Sequence, residues 1–398
     1  MIFRGLIAGP WRAVLVLGVT QILSWGTIFY PPVLTVPLIA ADRGWTISFA
    51  MGGFSLALLS AGVVSSRVGF LIDRYGGHRV MAIGSLLAAL GLVALVHAHD
   101  RIAYVAAWAL IGVATAASLY DAAFSTLGRI FGMAARRPIT ALTLAGGFAS
   151  TVSWPCTHFL IESVGWQEAY FVYAALLAGI AAPLHAFALP RSRAEAVAPD
   201  PGSEKMPGAV LAPKGRPFIL VAASFAAYAF VPSGLSAHLL AIFGRAGIDP
   251  ASVVTIGALF GPSQVAARIC ELAFARRLHP LTVARIAVGT LVLALCLYAL
   301  FGISAVIAAV FMILFGAANG LVTIARGAVP LALFGAKGYG HIMGRIGGAS
   351  LTMQAIAPFA LAFAVERGSD AALLAIVAGF AMLSFIGLLA IRPPSARR

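Results

Sequence analysis

Charge is scarce in this 398-residue chain: Asp, Glu, Lys and Arg make up 10% of it, where a soluble domain carries about 25%. Thirteen acidic and 27 basic residues are too few to cover the two or three soluble domains that this length would otherwise form. Cysteine is almost missing. Cys156, Cys270 and Cys296 each lie in an apolar run, with no ligand spacing and no disulfide framework, and read as packing residues. No Gly-rich phosphate loop with its Lys is present, which argues against ATP drive. No G-x-S-x-G elbow is present either. His158 and Glu162 lie one turn apart, but two such residues are not a metal set, and His238 stands alone. These absences exclude a soluble enzyme, a disordered chain and a secreted disulfide scaffold, and no cofactor or metal is expected.

What remains is apolar. Hydrophobic residues make up 61% of the chain and the mean hydropathy is +0.98, the composition of a polytopic membrane protein. A membrane helix needs about 20 mostly apolar residues. Twelve such runs are present, at 11–37, 46–71, 79–97, 102–128, 138–162 and 167–189, then at 217–243, 251–275, 282–301, 304–328, 342–365 and 370–391. Barrel strands would alternate over short segments instead. The first run follows Arg4 and Arg12, as in a signal peptide, but it is too long for one and eleven more follow, so no cleavage is expected. The one long polar stretch, 190–216, is rich in Pro, Gly, Ser and mixed charge and reads as a flexible linker. The expected organisation is therefore a six-helix half (1–189), a cytoplasmic linker (190–216) and a second six-helix half (217–398).

The net charge is +14 and the isoelectric point about 10.5. No basic run is interleaved with exposed aromatics, so a nucleic-acid partner is not expected. The charge is instead sorted by side. With the N-terminus in the cytoplasm, 19 Lys and Arg fall at cytoplasmic flanks, against Arg43, Arg101, Arg245 and Arg367 opposite. The other four, Arg67, Arg268, Arg326 and Arg345, fall within the apolar runs or at their inner ends. The halves also echo each other. Pro31 matches Pro232, Arg67 matches Arg268, and Gly146-Gly147 matches Gly347-Gly348, each 201 residues on, while STLGR at 125–129 is echoed by VTIAR at 322–326. Parallel repeats of this kind are a transporter architecture, with the substrate near the midplane between the halves.

Ionisable groups at membrane depth cost at least roughly 2.5–3.5 kcal/mol and normally face a partner or a watery cavity. Asp121, Arg268 and Glu271 lie deepest. In span 8, Gly257, Gly261, Gln264, Arg268 and Glu271 fall on one helix face. Asp121 lies on a stripe with Ser118 and Ser125, and Asn319 and Arg326 share a face of span 10. Arg268 could serve an anion or pair with Glu271, three residues on. Arg67 and Arg326 could snorkel to the interface. Tyr30, Pro31 and Pro32 are expected to break span 1, and Pro232 span 7; broken helices at matching places in two halves point to a binding site.

The loop after span 2 reads Gly69-Phe-Leu-Ile-Asp73-Arg74-Tyr-Gly76-Gly-His-Arg79. It resembles the G-x-x-x-D-R-x-G-x-x-R signature of the major facilitator superfamily, and twelve spans, a central linker and inward termini agree with it. The resemblance implies an all-α fold of two pseudo-symmetric six-helix halves. It implies transport by alternating access rather than an enzyme activity, and a latch at Gly69, Asp73, Arg74, Gly76 and Arg79. The matching loop of the second half, FARRLHPLTVAR, lacks the Asp and Gly pattern, so the latch is expected on one side only. A narrower resemblance, to monocarboxylate porters and the oxalate/formate exchanger group, is carried by DRGWTISFAMGGFS at 42–55 and by Arg268. In the monocarboxylate porters an Asp stands where this chain has Gln264.

The expectation is a proton-coupled symporter of a small organic carboxylate. Arg268, Gln264, Tyr30, Asn319 and Arg326 would bind the anion, and Asp121 and Glu271 would carry the proton. The alternative is a proton-coupled exporter of a neutral or cationic metabolite, drug or toxic compound. The protein is expected as a monomer in the lipid bilayer of a bacterial-type inner (plasma) membrane. Both termini should be cytoplasmic: reporter fusions at Arg398 and within 190–216 should be active only on the cytoplasmic side, and periplasmic activity at either point would reverse the topology.

Overall fold

A computed structural model describes residues 9–191, 215–275, 278–367 and 369–392. Most of the expected linker, 192–214, lies outside the described residues, as do both chain ends. Among the described residues all regular structure is helical. Span 1 consists of α1 (Arg12–Ser24), a π-helical turn (Trp25–Phe29) and α2 (Pro32–Arg43). Span 2 is α3 (Ile47–Tyr75) and span 3 is α4 (Gly77–Val96). Span 4 is α5 (Arg101–Ser118) and α6 (Tyr120–Phe131); span 5 is α7 (Arg136–Gly146) and α8 (Ala149–Val164). Span 6 begins with α9 (Trp166–Leu176) and continues through two π-helical turns to Ala188. Span 7 is α10 (Arg216–Arg245), and span 8 is α11 (Pro250–Ala258) with α12 (Phe260–Phe274). Spans 9 to 12 are α13 (Pro280–Phe301), α14 (Ala305–Phe334), α15 (Tyr339–Arg367) and α16 (Asp370–Ala390).

Among the described residues, eleven helical stretches are long and apolar enough to cross a membrane. One of them, Arg101–Val164, has 64 residues, far more than the about 20 that one crossing needs. It turns back through Gly132–Ala135, and so supplies spans 4 and 5 of a twelve-span bundle. The breaks fall elsewhere than the prolines suggest. Span 1 does open at Tyr30 and Pro31. Pro232, however, does not break span 7, because α10 runs through it, clamped along its length between α15 and α16. Membrane helices tolerate proline where neighbouring helices hold them. The other breaks lie at Leu119 in span 4, which is extended (φ −88°, ψ −165°), at Gly147–Phe148 in span 5 and at Leu259 in span 8.

Three cores hold the bundle. One is built wholly from the second half, around Phe225, Phe243, Leu291, Phe311 and Val377. Another belongs to the first half, around Tyr104, Trp108, Trp166 and Tyr170. The third joins the halves, packing Phe124, Ile139 and Leu142 against Leu331, Tyr339 and Met343.

That junction lies at one end of the molecule, the basic end, where the loops after spans 2, 4 and 10 emerge. Here α3 crosses α15, α6 packs on α15, and α7 packs on α12 and α14. At the opposite, far end α2, α8 and α9 pack chiefly within their own half. Thr151, Val152, Trp154, His158 and Phe159 of α8 are exposed there, as are Val254 and Thr255 of α11. The contacts between the halves are thus concentrated at the basic end.

Helix starts differ between the two ends. At the far end five of the six descending spans cap themselves with a local side chain, satisfying amides the helix leaves bare, while span 6 follows Gly165 and has no such cap. Thr46, Asp100, Asp249, Ser304 and Ser369 accept from backbone N–H groups two or three residues on, at 2.9–3.3 Å. Asp249 is exposed, and these hydrogen bonds hold its carboxyl below the usual carboxylate range. At the basic end α15 follows Gly338, which has no side chain to offer. Its first amides, Gly340 N–H and His341 N–H, donate instead to Asp73 of the other half, at 2.9 and 2.8 Å.

The α3–α15 crossing depends on missing side chains. A Cβ on Gly344 would lie 2.7 Å from the Ser65 carbonyl carbon and 2.8 Å from Ser66 Cα, backbone atoms that cannot swing aside. Gly344→Val should therefore overpack the crossing by about 1–3 kcal/mol and shift the protein toward forms parted at the basic end. Thiol labelling of a Ser66→Cys reporter should rise at least about fivefold in the Gly344→Val background; unchanged labelling would mean that the crossing is not close-packed.

Candidate substrate and coupling site

The break at Leu119 sets up the site. It ends α5 and restarts the chain as α6, so that Asp121 falls in the first turn of the new helix, where the helix dipole favours a negative charge. Across the seam, unbroken α14 carries Arg326, whose Nη2 donates to Asp121 Oδ1. Both side chains are mostly buried, Asp121 at 12% and Arg326 at 22% exposed. Opposite them α15 presents Gly347, where a Cβ would lie 2.9 Å from the Asp121 carboxyl carbon; glycine is what lets the pair sit there. Beside the pair is a cavity of about 40 Å³ lined by Trp25, Phe29, Thr115, Ala116, Leu119, Tyr120, Asp121, Arg326, Leu351 and Gln354. That volume holds about three waters.

Arg268 takes a different place. It is 4% exposed and reaches across the seam, its Nη1 donating to the Thr143 carbonyl at 2.7 Å, while Nη2 donates to Gln264 Oε1 at 3.2 Å. Thr143 lies in the last turn of α7, just before the break in span 5, and its carbonyl accepts from Gly147 N–H at 3.0 Å as well as from Arg268. Asn319 Nδ2 donates to the same Gln264 oxygen at 3.2 Å, and Tyr228 Oη donates to Asn319 Oδ1 at 3.4 Å. Arg268, Gln264 and Asn319 thus form one buried network on spans 8 and 10, and none of them lines the cavity.

Glu271 does not pair with Arg268. It is held by Arg136, the first residue of α7, with Nη2 to Oε1 at 2.7 Å and Nε to Oε1 at 3.3 Å. Thr140 donates to its other oxygen at 3.1 Å. Arg136 also donates to the carbonyls of Ala275 and Leu278, at 2.9 and 2.6 Å, closing the C-terminal end of span 8. The expectation of a one-sided latch is therefore corrected: without an Asp or Gly in its own loop, span 8 is tied by an arginine from the other half. Nearby, His279 Nδ1 accepts from Leu281 N–H at 3.2 Å. Burial, helped by Arg136 and Arg285, holds this imidazole below the usual histidine range, which keeps Nδ1 an acceptor.

Of the signature loop, Asp73 and Gly69 meet span 11, with Gly69 against the backbone at Gly340. Gly76 takes the positive φ (86°) of the turn. Arg74 and Arg79 are exposed, Arg74 lying over the Tyr75 ring at 5.2 Å. Tyr30 packs on Phe29, Trp25 and Trp154, with ring centroids 5.6–6.2 Å apart, one layer behind the cavity wall. Sequence reasoning did not single out Trp25, Phe29, Tyr120, Gln354 or Arg136. Trp25 and Phe29 at i, i+4 with Gln21 one turn earlier were a legible face; Arg136 was hidden among loop charges.

Two helical halves thus meet over a cavity walled by an ion pair, and the family that the chain matches makes it a membrane transporter rather than an enzyme. Residues 14–358 match the Major Facilitator Superfamily, and the chain belongs to that family. It is a multi-pass integral membrane protein. Its fold is similar to that of the human organic anion transporter MFSD10 (TETRAN), with a TM-score of 0.72 over 95% of this chain and 99% of that one, at 17% identity. A 149-residue stretch is 32% identical to the probable anion transporter 3, chloroplastic, of Arabidopsis thaliana. The match spans 36% of this chain and 28% of that relative.

Removing one partner of a buried ion pair costs about 3–5 kcal/mol, because the other charge is left bare. Arg136→Ala should accordingly lower stability by that order, and adding Glu271→Gln should restore most of it. Thermal unfolding of the detergent-solubilised variants would measure both; an Arg136→Ala protein as stable as wild type would make the contact superficial.

Proposed function

We propose that the protein carries a small organic anion, by preference a carboxylate, in symport with a proton. The observation that carries this reading is the Asp121–Arg326 pair at the wall of the cavity between the halves. Arg326 is held by a resident carboxylate that an incoming one can replace, oxygen for oxygen, in the bidentate geometry guanidinium favours. Asp121, once displaced among Trp25, Leu119 and Leu351, has lost its counter-charge, and a proton bound there restores neutrality. Anion and proton then enter together and the site stays neutral. The two similar proteins, one described as an organic anion transporter and the other as a probable anion transporter, support an anionic substrate, as does the resemblance of 42–55 and Arg268 to the monocarboxylate-porter and oxalate/formate group.

In this reading Arg326, rather than Arg268, is the first anchor. Arg268 and the Arg136–Glu271 pair hold the seam in this conformer and are released when the basic end opens, Arg268 then becoming a second contact and Glu271 a second proton site. The basic end is cytoplasmic by its Lys and Arg, and the halves meet there, so this conformer is read as facing outward. The protein acts as a monomer in a bacterial-type plasma membrane.

Reconstituted vesicles test the scheme with the carboxylate that most stabilises the purified protein. Asp121→Asn should lose accumulation driven by a pH gradient, by about tenfold or more, yet keep exchange between two loaded sides. Arg326→Gln should lose both. Full gradient-driven uptake by Asp121→Asn would remove the aspartate from coupling.

A further inference from the structure

We infer that the carried anion is a ring-bearing monocarboxylate, an arene or heteroarene acid with a single negative charge. The inference rests on the anion reading of the same cavity and adds what the rest of its wall selects. Three of the ten lining residues are aromatic: Trp25, Phe29 and Tyr120. Their rings form a connected surface, with Trp25 5.0 Å from Tyr120 and 4.7 Å from Phe29, both at inclined angles. Behind them Tyr120 stacks flat on Phe124, 5.2 Å away.

These rings are fixed in place before any ligand arrives. Trp25 Nε1 donates to Gln21 Oε1 at 3.1 Å, and the fully buried Gln21 donates through Nε2 to the Ser118 carbonyl at 2.7 Å. That carbonyl is the last of α5, left without a helical partner by the Leu119 break. The same break that aims Asp121 therefore also orients the indole. Trp25 and Phe29 bound the π-helical turn of span 1, a distortion that recurs at functional sites. Rigid aromatic walls favour a planar guest by offset and edge-to-face contacts beyond simple area burial.

The charge count sets the other half of the selection. Arg326 is the cation on the wall; Arg268 lies off it, its guanidinium turned to the Thr143 and Gly320 carbonyls and to Gln264. A dicarboxylate would leave its second charge against Ala116, Leu119 and Leu351, an unpaired charge in an apolar place. Gln354 and Thr115 supply the remaining polar contacts and suit a hydroxyl or ring nitrogen. The present space of about 40 Å³ is too small for a ring, so the ring enters only as Asp121 leaves Arg326. Ring insertion and loss of the resident ion pair are then one event.

Thermal stabilisation of the purified full-length protein by four probes tests the inference: benzoate, hexanoate as an aliphatic acid of similar size, phthalate as a dianionic ring, and succinate. Benzoate should act at a concentration about tenfold lower than hexanoate, with phthalate and succinate inactive. In Trp25→Leu, and separately in Phe29→Leu, the benzoate advantage should shrink to about twofold while the hexanoate response persists. In Arg326→Gln both responses should vanish. Equal responses to benzoate and hexanoate, or a full advantage in both wall variants, would overturn ring selection and leave carboxylate binding standing. Stabilisation by succinate or phthalate as strong as by benzoate would overturn the single-charge rule. Silence toward every acid, or responses that survive Arg326→Gln, would overturn the anion reading itself and the inference with it.

Discussion

A charge buried in a membrane protein must be matched, and here six ionisable groups along the seam are matched across it in four contacts. Asp121 meets Arg326, Glu271 meets Arg136, Arg268 meets the Thr143 carbonyl, and Asp73 meets the first amides of span 11. Each contact has one partner in the first six spans and the other in the last six. Neither half on its own satisfies its buried charges, so the two cannot drift apart gradually. Parting them requires that something else take over the vacated partners, and in the proposed cycle water, a proton and a solute anion do so.

The backbone is shaped to the same end. Spans 4 and 5 break where their side chains or carbonyls must face the seam, at Leu119 and at Gly147–Phe148, while span 10, which carries Arg326, runs unbroken. A straight helix opposite a broken one gives a fixed cation facing an acid on a restarted helix. The glycines of the α3–α15 crossing bring two backbones together with almost no side chain between them. The closure is therefore of fixed depth.

Most of the fold could be read from the chain because hydrophobic length is a local property: twelve apolar runs became twelve crossings, with ends shifted by a few residues. The signature loop was legible for the same reason, its glycines and Asp73 being close in sequence. The breaks were less so. Proline at 232 was a plausible kink, but its helix is held straight by two neighbours, whereas Leu119 carries no local signal and is bent by what surrounds it. Pairing was least legible of all. Asp121 and Arg326 are 205 residues apart and Arg136 and Glu271 are 135, and one sequence says which residues are costly to bury without saying which of them meet. Arg136 looked like one of many loop charges until the structure set it on the end of span 8.

The uncapped start of span 11 has a consequence for how the molecule's motion can be followed. Gly340 and His341 have amide hydrogens whose acceptor, Asp73, belongs to the other half, unlike the self-capped helices of the far end. Whenever the basic end parts, those two hydrogens lose their acceptor together and meet water, while Ile342 N–H, bonded to the Gly338 carbonyl at 3.2 Å, keeps its own. The difference in isotope exchange between neighbouring residues of one helix turn is thus an internal clock, counting the openings of the transporter without any label on the solute.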